Sequence, residues 1–358
     1  LRLVSASAGS GKTYRLTEEV TRAVDPSART PIDIEGLVGV TYTTKAHAEL
    51  EARIRRVLVK NRAFDCAQRL SLAHVGTVHA VCLRILKEFA LDAGLSPTID
   101  VIPANECRRL LQGALEQALD PALHRRLEML AIEFQFERLP RTGRYDWVTP
   151  VDDIMTLARS NRIPPAELPQ MARRSLEGLS AILPPADRSG TPLEAALGES
   201  LQLAIEKLAQ LDDGTKASLK VLRDLRTSVW QLKNQRLTWG SWARLTDLAP
   251  AKHALPIVAP VQEAAAAYER HPQFQAGLRE LTGHVFEAAR VGLLAYAEWK
   301  SERGVVDYVD MIDRALDLLE VPEVAEELRE KFQLVVVDEF QDTSPIQLAL
   351  FTHLHALC

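Results

Sequence analysis

Two groups of residues, one near each end of the 358-residue chain, have the types and spacing to do chemistry. The first is Ala6, Ser7, Ala8, Gly9, Ser10, Gly11, Lys12 and Thr13. Small residues let backbone N–H groups point at phosphate oxygens, and a helix starting there adds the partial positive charge of its N-terminus. Lys12 would reach the β- and γ-phosphates, and the Thr13 hydroxyl would ligate Mg2+. Ala6 stands where the general motif has Gly. The second group is Asp338, Glu339, Phe340, Gln341 and Asp342, directly after the apolar run Val335, Val336, Val337. Carboxylates at the carboxyl end of a buried strand sit where open α/β sheets bind ligands. Asp338 suits Mg2+, held directly or through water. Glu339 suits positioning or deprotonating an attacking water. Gln341 carries both donor and acceptor atoms, which suits sensing a γ-phosphate. Alone, the first group reads also as a strand–helix turn with an incidental Lys, and the second as a solvated turn. Together they complete one ATP·Mg2+ site.

The elements around these groups alternate. Leu1, Leu3 and Val4 predict a short strand. Leu16, Val20 and Val24 then recur every four residues as a helix stripe. Residues 36–41 predict a second strand, and a helix follows from Lys45 with Ala46, Leu50, Ile54 and Leu58 on one face. Residues 75–78 predict a third strand, followed by a helix carrying Leu83, Leu86 and Ala90. The alternation returns at 332–338, and Ser344-Pro345 is a helix start. Such alternation implies a parallel α/β sheet. Between about 97 and 300 no convincing strand occurs; helices are expected at 106–119, 197–211 and 217–232. The prolines from Pro140 to Pro192 mark the expected region of flexible connections. The division is therefore 1–96 and 301–358 as the two parts of an α/β domain, with 97–300 as a helical insertion.

Composition narrows the class. Lys and Arg number 43 against 48 Asp and Glu, so a basic field over the whole chain is excluded and a nucleic-acid surface must be local. From Lys45 to Glu88 there are nine basic residues against four acidic, which marks one such patch; a solvated helix face is the plain alternative. No apolar run reaches membrane-span length, so no membrane role is expected. Cys66, Cys82, Cys107 and Cys358 form no CxxC pair, which argues against a zinc site or a disulfide framework and for a reducing cytoplasm. The chain begins with Leu1 and ends at Cys358 in an apparent helix, the expected look of a fragment.

Four segments carry a family resemblance: Ala6–Thr13; Val40 to Leu50, with Thr41, Tyr42, Thr43, Thr44 and Lys45; Gly76 to Leu86, with Thr77 and His79; and Val337 to Gln347 around the Asp-Glu-Phe-Gln-Asp box. Their order and residues resemble UvrD/Rep-type superfamily 1 DNA helicases, closest to the AddA/RecB branch of ATP-dependent exonucleases. Residues 306–311 resemble the short acidic motif that precedes the last strand in that family. Thr44 replaces a common Asn, and Val309 replaces an Asp, with Asp307 and Asp310 retained.

The resemblance implies a P-loop NTPase of RecA-like fold, helices on both faces of its parallel sheet, and a mainly α-helical inserted subdomain. It implies ATP and Mg2+ as cofactors, movement 3′ to 5′ on single-stranded DNA, and single-stranded or double-stranded DNA as a partner. Tyr42 would stack on a base, and Thr77 and His79 would contact single-stranded DNA. A second motor domain would supply the arginine that crosses to the γ-phosphate, and a nuclease-complex subunit is a further partner. The alternative is a P-loop-fold scaffold or DNA-binding module without motor activity; a P-loop kinase or GTPase fits poorly. Trp239 and Trp242 are expected in the core of the inserted helices.

Overall fold

A computed structural model of the chain describes residues 12–140, 142–211 and 214–358. The strand expected at 1–4 and the loop residues Ala6, Ser7, Ala8, Gly9, Ser10 and Gly11 lie outside the described residues, as do the side chains of Lys12 and Thr13. In chain order the elements are α1 (Lys12–Ala23), β1 (Leu37–Thr41), α2 (Thr44–Lys60), α3 (Phe64–Arg69), β2 (His74–Thr77), α4 (Val78–Glu88), β3 (Asp100–Val101) and α5 (Ala104–Ala118). Then come α6 (Pro121–Glu133), α7 (Val148–Ser160), α8 (Leu168–Ile182), α9 (Thr191–Leu211), α10 (Lys216–Lys233), α11 (Trp239–Arg244), α12 (Leu255–Ala266) and α13 (Pro272–Arg303). The chain closes with β4 (Val305–Val306), α14 (Tyr308–Leu319), α15 (Pro322–Lys331), β5 (Leu334–Val337) and α16 (Pro345–Leu357).

The chain divides into two compact units. One comprises 1–110, 157–163 and 297–358; the other comprises 111–156 and 164–296. In the first, β1 lies between β2 and β5 in a wholly parallel sheet. All five residues of β1 are buried, as a strand covered on both faces must be. Side chains alternate between the faces. Leu37, Val75, Leu334 and Val336 pack with Val20, Val24, Leu50, Ile54 and Leu58 of the α1–α2 side. Val38, Val40, Val335 and Val337 pack with Val81, Ile85, Ile312, Leu316, Leu350 and Leu354 of the α4, α14 and α16 side. The helix starts are encoded locally. Thr43 accepts from Ala46 N–H at 3.0 Å to cap α2. Ser344 N–H donates to Gln347 Oε1 at 2.9 Å where α16 begins, with Pro345 in its first turn.

The second unit has its own apolar core. Leu197, Leu201, Leu208, Val221, Leu225, Val258 and Val261 of α9, α10 and α12 meet there. Trp242 is buried among them and donates its Nε1–H to Ala265 O at 3.1 Å, and Trp239 stacks beside it at 5.9 Å between ring centroids. A bidentate pair joins Arg126 to Glu280 at 2.6 Å for both nitrogens.

Two expectations change. Asp100 and Val101 pair in parallel with Val305 and Val306, a two-residue ribbon too short to show alternation in sequence. The proline-rich stretch from Pro140 to Pro192 is not mainly loop: it contains α7 and α8, and several prolines occupy first turns, where a missing N–H costs nothing.

Residues 157–163, part of the first unit, carry a network of charges. Arg159 donates to both oxygens of Asp307 and reaches Asp310 at 3.4 Å, while Lys300 contacts Asp307 at 3.3 Å and also pairs with Asp310. Asp307 is 1% exposed and also caps α14, accepting from Val309 and Asp310 N–H. Arg162, three residues on, pairs with Asp313 and Asp317 of α14. Burial pushes the Asp307 carboxyl up, but Arg159 and Lys300 outweigh it and hold it below the ordinary carboxylate value. Removing one member of a buried network leaves the rest uncompensated. Asp307→Ala is expected to cost about 3 kcal/mol in urea unfolding at pH 7. Asp187→Ala, which breaks an exposed pair with Arg270, is expected to cost under about 1 kcal/mol. Because the folded carboxyl is depressed, its contribution is complete above the unfolded pKa of about 4 and fades as pH falls through the folded value. The gap between wild type and Asp307→Ala should therefore narrow below about pH 4.

Candidate nucleotide and nucleic-acid site

The parallel register fixes which side chains share an edge. Thr41 pairs with Thr77, Val40 with Val337, and Asp338 N–H continues the ladder to Val40 O at 2.9 Å. Thr41, Thr77 and Asp338 thus form one row at the carboxyl edge of the sheet, and Tyr42 follows directly. Continuing the alternation places Asp338 on the sheet face that carries α1.

Asp338 is 9% exposed, and its Oδ1 accepts from Glu339 N–H at 3.0 Å. Glu339 has φ 52° and ψ 41°, the left-handed region, which costs a non-glycine residue on the order of 1–3 kcal/mol. Its carboxylate accepts from Gln341 Nε2. This turn ends β5 and turns the chain sharply, so two adjacent acids need not alternate across the sheet as strand residues would. A buried carboxylate with a second acid beside it is an all-oxygen donor set, the kind Mg2+ takes. Among the described residues the expected site therefore keeps Asp338, Glu339 and Gln341 together in one turn. Lys12 and Thr13 are the first two residues of α1.

The expected nucleic-acid residues are distributed around the same edge. Tyr42 is half-buried, and its hydroxyl lies 2.6 Å from Thr343 Oγ1, just past the acidic turn. Burial, and to a lesser degree Asp342, pushes its phenol up. Thr77 caps α4, accepting from Ala80 N–H at 3.3 Å. His79, in the first turn of α4, sets its ring edge-on to Tyr308 at 4.7 Å, and burial pushes its imidazole below the ordinary value. Thr343 is not among the expected residues; it bridges the loops after β1 and β5, and only its place beside the acidic box hints at it. The basic patch between Lys45 and Glu88 is smaller than its count suggests. Arg53 and Arg55 pair with Glu49 and Glu51, and Arg69 with Asp33 and Glu35. Arg84 donates to Ala73 O.

The family model of the UvrD/REP helicase N-terminal domain matches residues 2–357. The chain belongs to this family. Among curated relatives, it is 28% identical over 415 aligned residues to an ATP-dependent helicase/nuclease subunit from Pelotomaculum thermopropionicum, covering 96% of this chain and 31% of that protein. The proteins of the same name from Desulforudis audaxviator and Geobacillus thermodenitrificans are 29% and 26% identical, each match covering 96% of this chain and 32% of the relative. The chain thus spans about a third of the length of the curated relatives it matches.

Within this UvrD/REP helicase domain the left-handed Glu339 gives a measurable signature. Gly adopts that region freely, whereas Ala pays for it. Glu339→Gly is expected to melt no lower than Glu339→Ala, the reverse of the usual order. A Glu339→Ala variant about 1 kcal/mol more stable than Glu339→Gly would show that the left-handed turn is not enforced.

Proposed function

We propose that the chain is the ATP-binding motor domain of a 3′-to-5′ DNA helicase or translocase that works in an ATP-dependent exonuclease or recombination-repair enzyme of the cytoplasm. In this reading 1–96 and 301–358 form a RecA-like domain, and 97–300 form the inserted accessory subdomain. The observation that supports it most is the row Thr41, Thr77 and Asp338, which draws the acidic turn and Tyr42 to one edge of a parallel sheet.

The roles follow from chemistry. The backbone from Ala6 to Gly11 cradles the phosphates, and Lys12 neutralises the β- and γ-oxygens. Asp338 and Thr13 would hold Mg2+, which offsets charge on the phosphates when bound. Glu339 orients and deprotonates the attacking water, and Gln341, bonded to Glu339, reports the state of the γ-phosphate. Tyr42 stacks on a base without reading it, and Thr77 and His79 contact the single strand. The hydroxyl contact between Tyr42 and Thr343 is a direct route from the acidic turn to the strand-binding edge. A second motor domain supplies the arginine for the γ-phosphate, and a partner protein completes the nuclease complex.

The arginine assigned to a second motor domain sets the test. Such a residue is worth about 10³–10⁵ in rate. The 358-residue chain by itself is expected to bind ATP·Mg2+ in a titration and to hydrolyse it only slowly, with or without single-stranded DNA. Lys12→Ala should weaken nucleotide binding at least tenfold. Nucleotide affinity indifferent to Lys12→Ala would overturn the site. Rapid DNA-stimulated turnover by this chain, lost in Lys12→Ala, would overturn the need for a second domain.

A further inference from the structure

The second unit carries an outward helix face that the motor reading does not use. Helix α10 buries Ser218, Val221, Leu225 and Ser228 on one side. Its basic residues Lys216, Lys220, Arg223, Arg226 and Lys233 all fall on the other side and are exposed. Helical spacing makes this one stripe, about 25 Å long at 1.5 Å per residue. The only acid in the helix, Asp224, lies at the flank of the stripe. Among the described residues none of the five cations has an ion-pair partner, unlike Arg53, Arg55 and Arg69 in the first unit.

Trp230 lies within the stripe. It is 55% exposed, in contrast to the buried Trp242 of the same unit. The guanidinium of Arg236 sits 5.6 Å from its ring centroid. Leaving an indole in water forfeits the burial that large aromatics normally obtain. Leu219 is exposed on the same face.

We propose that the outward face of α10 binds a single DNA strand, with phosphates on the Lys and Arg side chains and a base stacked on Trp230. Charge complementarity chooses the occupant. Five exposed cations around an aromatic platform match the pattern by which proteins hold single strands without reading sequence. Lys is depleted from protein–protein interfaces, so the three lysines of the stripe weigh against a protein partner, while its arginines and Trp230 suit phosphates and a stacked base equally well. The strand would run over the inserted helices, on residues other than Tyr42, Thr77 and His79.

The test uses fluorescein-labelled oligothymidylate and the intact chain, read by anisotropy across a salt series without nucleotide. Lys220→Glu/Arg223→Glu/Arg226→Glu is expected to weaken binding at least tenfold and to reduce the slope of log K against log salt by about 2, since each single-strand phosphate contact contributes about 0.7. Trp230→Ala should weaken binding about tenfold, and Trp230→Phe should restore most of it. Quenching of intrinsic fluorescence by the oligonucleotide should shrink in Trp230→Phe. Unchanged affinity and salt slope in the triple variant overturn the proposal, whatever protein that face then attracts. A duplex competitor that displaces the strand equally well, with Trp230→Ala neutral, also overturns it and leaves only a duplex-backbone contact. Lys12→Ala should leave these readings unchanged, so failure here and failure of the nucleotide site are separable.

Discussion

The hydrogen-bonded register of three parallel strands is the constraint on which the candidate site depends. β1 and β5 are separated by almost 300 residues of chain, yet Val40 opposes Val337 and Asp338 N–H binds Val40 O. A shift of one residue would carry Asp338 to the opposite face and bring apolar residues to the ligand edge. The register is secured by burial on both faces: one set of β1 side chains faces α1 and α2, the other faces α4, α14 and α16. The chemistry therefore rests on ordinary apolar packing. The acidic turn adds strain at Glu339, which the packed strand and the α16 start hold in place on either side.

Charged residues in this chain have three fates. Some are spent on structure. Asp307 and Asp310, in the segment that resembles a family motif, cap α14 and anchor residues 157–163 through Arg159 and Lys300. Others cancel along the surface, as Arg53, Arg55 and Arg69 do with their acids. A third group, on α10, has neither use within the described residues. Counting charges along the sequence cannot separate these fates, because pairing depends on what each helix packs against.

Much of the first unit is legible in the residues. The runs around Val38, Val75 and Val335 are apolar and bounded by turns, and β1, β2 and β5 fall there. Their order in the sheet is not legible, since pairing depends on contacts distant in sequence. Asp338, Glu339 and Gln341 are visible because their spacing is local. Thr343 is not, because its contact with Tyr42 joins loops 301 residues apart. Arg159 is hidden for the same reason, being 148 residues from Asp307. The ribbon at Asp100 and Val305 is too short for periodicity to register. Prolines between 140 and 192 mislead in the other direction, since Pro at a helix start and Pro in a loop look alike in sequence.

Calorimetric titration of a non-hydrolysable ATP analogue, with Mg2+ and then with EDTA, on wild type and Asp338→Asn tests most directly whether the acidic turn and the phosphate loop serve one ligand. Mg2+ should tighten binding to wild type, and Asp338→Asn should lose that gain while its metal-free affinity stays the same. An Asp338→Asn chain that keeps the full Mg2+ enhancement would contradict a shared site.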